Sequence, residues 1–211
     1  MYNINRVLIL SPHTDDGEFG CGGSIARFGD EEKEIYYVAF STAEESVPDP
    51  WPKDILKTEV KEATKRLGIS QENLIIFNFK VRELSYHRQE VLDKLIEIKK
   101  DICPDLVFLP SSNDLHQDHS TVSEEGIRAF KTTTILGYEN PWNNISFRTG
   151  SFIVLSEENV VTKLSALDAY NSQKNKHYAN EEYIRSIVRM RGGQIGSRYA
   201  EAFEVIRWVM K

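Results

Sequence analysis

The chain has 211 residues, 40% of them hydrophobic and 27% charged, and a net charge of −6 from 26 basic and 32 acidic side chains. That length and apolar content suit one α/β domain over residues 1–211, whose core needs neither disulfides nor a structural metal. The acidic balance argues against a nucleic-acid or polyanion partner, which requires basic patches; a local patch is still conceivable, for example around Arg185, Arg189, Arg191 and Arg198.

The first residues, MYNINR, are polar and run directly into a strand, so they do not read as a signal peptide. No apolar run approaches the roughly 20 residues that span a bilayer. Cys21 and Cys103 are isolated and form no CxxC pair, which fits a reducing compartment and an expected cytoplasmic location.

Strand and helix signals then alternate. Residues 6–11 (RVLILS) form a short apolar run, the mark of a strand buried on both faces. After a glycine-rich turn, residues 22–29 read as a helix and 34–41 (EIYYVAFS) as a second strand. Residues 54–67 place Ile55, Val60, Ala63 and Leu67 on one helical face, with Gly68 as a stop. A strand is expected at 74–79, a helix at 87–101 closed by Pro104, a strand at 106–109 cut by Pro110, and a helix at 120–130. This rhythm predicts an α/β fold with a doubly wound parallel sheet and helices on both faces. Further on, strands are expected at 134–138 and 152–155, helices at 157–170 and 181–191, and a closing strand at 204–209.

Two polar clusters follow strand ends. Pro12-His13-Thr14-Asp15-Asp16 follows the first strand, and Asn113-Asp114-Leu115-His116-Gln117-Asp118-His119 follows the strand at 106–109. Adjacent aspartates raise each other's pKa unless a cation compensates them, and a divalent metal beside His13 would do so. Alone, the first cluster fits a strand-terminal cap or Asx turn equally well. The second fits a surface loop in which Asp118 and Ser120 cap a helix. In open parallel sheets, however, ligands bind beyond the carboxyl ends of the strands, so both clusters belong on one rim. Imidazoles and carboxylates meeting there suit a catalytic metal site of about three protein ligands, with further side chains free for acid–base work.

At these residues the chain resembles the PIG-L/LmbE family of metal-dependent de-N-acetylases, marked by an early (A/P)HPDD(E) motif and a later HxDH-type motif. Gly22-Gly23, Tyr170-Asn171-Ser172-Gln173 and the YAEAFE segment at 199–204 extend the similarity over nearly the whole chain. The resemblance implies a Rossmann-like, mostly parallel sheet and hydrolysis of the acetamide of an N-acetylated amino sugar. It implies that His13, Asp16 and His119 hold zinc and that Asp15 is the general base. It further implies that His116 stabilises the oxyanion or protonates the leaving amine, with Asp118 orienting its imidazole. Two histidines and one aspartate also accept iron, manganese or cobalt.

Thr14 departs from the family's proline, and residues 41–46 (STAEES) stand where family members often carry an Arg- or Gly-containing substrate loop. Substrate contacts are therefore expected from this chain's own residues: Arg82 after the third strand, with Glu44, Asn113 and Asp114 as further candidates. His87 and His177 read as solvated, Cys21 as a small buried thiol, the glycines after Arg191 as a helix stop, and Trp208 as core. Trp142 and Trp51 are candidates to stack on a sugar ring. A homo-oligomer is left open. Two other functions stay open from the sequence: a noncatalytic metal or sugar-nucleotide binding module, and an amidase or esterase acting on a non-sugar substrate.

Overall fold

The apolar run after Asn5 becomes the central strand of a seven-stranded sheet. In the computed structural model, which describes residues 4–210, β1 (Arg6–His13) leads into α1 (Asp16–Asp30), β2 (Glu34–Ser41) and α2 (Ile55–Arg66). Next come β3 (Leu74–Ile76), α3 (Arg88–Ile102), β4 (Leu106–Pro110), α4 (Gln117–Ala129) and β5 (Thr134–Tyr138). The chain closes with β6 (Ser151–Val154), α5 (Glu157–Leu167), α6 (Glu181–Gly193) and β7 (Ala200–Arg207). The strand order is β3-β2-β1-β4-β5-β7-β6. The first five strands are parallel, while β7 runs antiparallel to both β5 and β6.

Side-chain alternation along β1 explains why its sequence is apolar throughout. Val7 and Ile9 face a core layer with Ile25 of α1 and Val60 of α2; Leu8 and Leu10 face the opposite layer with Leu95 of α3 and Val122 of α4. All four are fully buried. Each such side chain contributes roughly 1.5–3 kcal/mol by leaving water. The sheet thus carries helices on both faces, as expected.

Several boundaries differ from the sequence expectation. Helix α1 begins at Asp16, before the 22–29 expected: a first turn over residues 16–20 precedes a break at Cys21, and its Gly17 and Gly20 serve packing. A Cβ on Gly17 would lie 2.6 Å from the Tyr37 hydroxyl oxygen, and one on Gly20 would enter the Tyr138 ring. The helix expected at 120–130 starts at Gln117, since the His116 side chain accepts from the Asp118 N–H and caps it. Regular β3 stops at Ile76, although the Phe77 and Phe79 N–H groups still donate to Ala39 and Phe40. The closing strand is Ala200–Arg207, so Trp208 lies beyond the sheet and is 54% exposed, contrary to the core placement expected. Three of the four arginines meet acidic partners: Arg185 and Arg198 pair with Glu157, and Arg191 bonds both oxygens of Glu139.

Candidate active site

Strand order reverses beside β1. From it the chain winds outwards to β2 and β3 on one side, whereas β4 and β5 lie on the other. The crevice at such a switch point is where open α/β sheets bind ligands. His13 ends β1, Asp15 is the N-cap of α1, and Asp16 opens that helix. On the other side, His116 is the N-cap of α4, and Asp118 and His119 lie in its first turn. Two strand ends thus deliver both expected motifs to one place.

The closest convergence involves three atoms. Asp16 Oδ2 lies 3.1 Å from His13 Nδ1 and 3.1 Å from His119 Nε2, and the two nitrogens are 3.3 Å apart. Tetrahedral ligands at about 2.0–2.1 Å from zinc stand about 3.3 Å from one another, so this triangle has the dimensions of one face of such a site. His116 joins the wider grouping, since the three imidazoles offer nitrogens within 4.8 Å of one another.

Each outward-facing nitrogen is anchored by a carboxylate. His13 Nε2 lies 2.9 Å from Asp118 Oδ2, and His119 Nδ1 lies 2.8 Å from Asp114 Oδ2. Such carboxylate–imidazole pairs fix ring orientation and raise ligand basicity at metal centres. Asp118 therefore does not orient His116 as expected: its Oδ2 also accepts from the Arg82 N–H (2.6 Å), and its Oδ1 from the Leu84 N–H (3.2 Å). His116 instead accepts the Asp118 N–H at Nδ1, 3.2 Å away, which leaves Nε2 as its proton-bearing atom when neutral.

Electrostatics follow from this packing. Burial opposes ionisation of Asp16, yet His119 and His13 hold its carboxyl well below the usual range. Burial likewise disfavours charge on His119, but Asp16 and Asp114 outweigh it and push the imidazole up to about 10. His13 is raised against its burial by Asp16 and Asp118. His116 goes the other way, lowered to about 4 by burial and then by His13 and His119. The cluster binds protons strongly where its lone pairs converge, and a metal competes for the same lone pairs.

The cleft above these atoms measures about 320 Å³, and Asp15, Arg82 and Lys176 supply charge along its walls. Asp15 is nearly buried, and Lys176 Nζ lies 3.7 Å from its Oδ2. Arg82 has a left-handed backbone (φ 67°), an uncommon state for a residue other than glycine. That conformation turns its N–H onto Asp118 while its side chain lines the cleft. Trp142 and Tyr178 stack face to face at 3.8 Å and form an aromatic wall. Trp142 thereby lines the cleft as a sugar-stacking candidate should, whereas Trp51 is not among the lining residues.

Other expected contacts fall elsewhere. Glu44 is exposed and pairs with Lys57 at 3.2 Å, outside the cleft lining. Asn113 is exposed beside Ser111, and Asp114 is buried beneath His119, bonding its ring and the His116 N–H. His177 is exposed, and His87 faces Glu90 at the surface. Lys176, Tyr178, Asn143 and Gln173 line the cleft without having been anticipated. Only Gln173 gave a signal, through the Tyr170-Asn171-Ser172-Gln173 segment; the others sit in loops without periodicity. Asn140, also unanticipated, donates to Asp16 Oδ1 at 3.2 Å.

Known proteins share both sequence and shape with this chain. The model of the PIG-L family, described as GlcNAc-PI de-N-acetylase, matches residues 8–130. An uncharacterized deacetylase of Escherichia coli K12, YaiS, is 30% identical over 172 residues, covering 79% of this chain and 90% of its own length. The diacetylchitobiose deacetylase of Thermococcus kodakarensis is 24% identical over 228 residues, covering 97% and 84% respectively. Among solved structures, the N,N'-diacetylchitobiose deacetylase of Pyrococcus horikoshii superposes with a TM-score of 0.81 at 22% identity, over 97% of this chain and 84% of that one. The chain belongs to the PIG-L family of de-N-acetylases and is an amide-hydrolysing α/β enzyme.

Proposed function

We propose that this chain, as one catalytic domain over residues 1–211, removes the acetyl group from an N-acetylated amino sugar of the N-acetylglucosamine type. The relatives named for diacetylchitobiose support that substrate class. The observation that carries the proposal is the triangle of His13 Nδ1, Asp16 Oδ2 and His119 Nε2, with Asp15 and His116 beside it on the cleft. These three residues would hold a divalent ion, for which zinc suits the donor set of two nitrogens and one oxygen. When bound, such an ion supplies Lewis acidity to the amide carbonyl and to water.

The chain's own groups supply the remaining steps. Asp15 Oδ accepts the proton of the attacking water. The Lys176 Nζ stands 3.7 Å from Asp15 Oδ2. His116, half-buried and accepting the Asp118 N–H at Nδ1, donates a hydrogen bond from Nε2–H to the oxyanion of the tetrahedral intermediate. Asp15 then returns its proton to the departing nitrogen as the C–N bond breaks, so that a neutral amine and acetic acid leave and ionise to ammonium and acetate in water. Arg82 and the Trp142–Tyr178 wall line the cleft and would contact the sugar and its substituents. A cytoplasmic location is supported by two unpaired cysteines, Cys21 buried and Cys103 exposed, and no helix among the described residues is long and apolar enough to cross a membrane.

Acetate release from a panel of N-acetylglucosamine conjugates, with metal content measured on the same samples, tests this reading. Wild-type protein that carries metal yet releases no acetate from any of them would overturn the substrate class.

A further inference from the structure

Helix α1 is broken. At Cys21 the backbone leaves the helical range (φ −145°, ψ 20°), which separates a first turn over residues 16–20 from the remainder. A break in a helix leaves carbonyls without partners on one side and N–H groups without partners on the other, and here both sides lie in the protein interior.

Two buried side chains of opposite charge serve those two sides. Lys163 of α5 donates from Nζ to the Phe19 carbonyl at 2.6 Å, at the end of the first piece. Glu201 of β7 accepts from the Gly23 N–H (3.0 Å), the Ser24 N–H (2.7 Å) and the Ser24 hydroxyl (2.6 Å), at the start of the second. Lys163 and Glu201 bond each other at 2.6 Å, and each side chain is only 4% exposed. The signs match the helix ends they meet: a cation at a C-terminus and a carboxylate at an N-terminus. The lysine stem also covers Gly22, where a Cβ would come within 3.1 Å of Lys163 Cγ.

The first piece of α1 carries two parts of the cleft. Asp16 belongs to the metal triangle, and the Phe19 ring packs edge-on against Trp142 (5.1 Å) and Tyr178 (5.5 Å). We infer that Lys163 and Glu201 are positioning residues that fix the break in α1 and thereby hold Asp16 at the metal site and Phe19 behind the aromatic wall. This inference rests on the reading of His13, Asp16 and His119 as metal ligands.

The test measures cobalt(II) affinity by chelator competition, the cobalt absorption spectrum and kcat/KM in the full chain. Glu201→Gln and Lys163→Met should weaken cobalt binding by at least about 10-fold and alter the spectrum, as loss of groups that orient ligands does elsewhere. Lys163→Arg, which keeps the cation, should restore much of both. Ser24→Ala, which removes one donor to Glu201 and no charge, should act in the same direction but less. Leu95→Ala, a core truncation on the opposite face of the sheet, should lower the thermal midpoint and leave cobalt affinity and spectrum unchanged. If the charged-pair variants do not fold, the charge-neutral pair Lys163→Met/Glu201→Gln and the Ser24→Ala protein decide by the same readouts. Folded variants that bind cobalt with wild-type affinity and spectrum overturn the inference. Failure of wild-type protein to bind cobalt, or undiminished binding by His119→Ala, would instead sink the metal-ligand reading.

Discussion

Asp118 and His13 meet beneath the cleft, carboxylate Oδ2 to imidazole Nε2 at 2.9 Å, although 105 residues separate them in the chain. The bond turns the other ring nitrogen, Nδ1, towards Asp16 and His119. Asp118→Asn should therefore lower metal affinity by about 10–100-fold with little change in fold. Chelator competition checks this; unchanged affinity would show that His13 is oriented by its backbone alone.

Asp15→Asn separates chemistry from metal binding. Asp15 lies outside the ligand triangle, so the variant should retain its metal by elemental analysis while kcat falls by about 10²–10⁴-fold, the usual contribution of a positioned base. Substantial turnover with full metal content would assign the base elsewhere.

Lys176 offers a charge test. Its Nζ lies 3.7 Å from Asp15 Oδ2, so Lys176→Met removes the cation beside the base and should lower kcat/KM by up to about 5-fold, the scale of a partly solvated ion pair. Lys176→Arg, which keeps the charge, should retain most of the activity. Steady-state kinetics of the two variants check this, and a methionine variant as active as wild type would remove Lys176 from the base's environment.

Glu18 makes a stability prediction for metal-stripped protein. It is fully buried against the Tyr37 and Tyr170 hydroxyls, and burial pushes its carboxyl up from 4.5 to about 8. Between those values the folded chain keeps a proton that the unfolded chain has released. Its contribution is complete below about pH 4.5, is lost as pH rises towards 8, and changes no further above that. Relative to wild type, Glu18→Gln should thus gain stability from pH 5 to pH 9, by at most on the order of 5 kcal/mol. Denaturant melts at the two pH values measure the difference, and a gap independent of pH would contradict a neutral Glu18.

The sequence was most legible where one interaction dominates. Four consecutive apolar residues, Val7 to Leu10, sufficed for a strand buried on both faces, and the His and Asp motifs at two strand ends pointed to their meeting. It was least legible where a residue answers to a distant partner. The glycines of α1 look like turn formers until Tyr37 and Tyr138 are set against them. Asp118 seemed to serve its neighbour His116, because chain proximity gives no hint that β1 brings His13 closer to its carboxylate. Lys176 and Tyr178 lie in the loop between α5 and α6, where Tyr178 answers to the distant rings of Trp142 and Phe19, and no local pattern encodes those partners. Trp208 illustrates the reverse error: a large apolar residue is costly to expose but not forbidden, and here the sheet ends before it.

The left-handed backbone of Arg82 has a thermodynamic consequence. One peptide both grips Asp118, which steadies His13, and carries the guanidinium that faces an incoming ligand. A ligand that pulls on the arginine side chain therefore acts on the same peptide that supports the metal centre. To whatever extent metal occupancy tightens ligand binding through this link, ligand binding must tighten metal retention by the same factor.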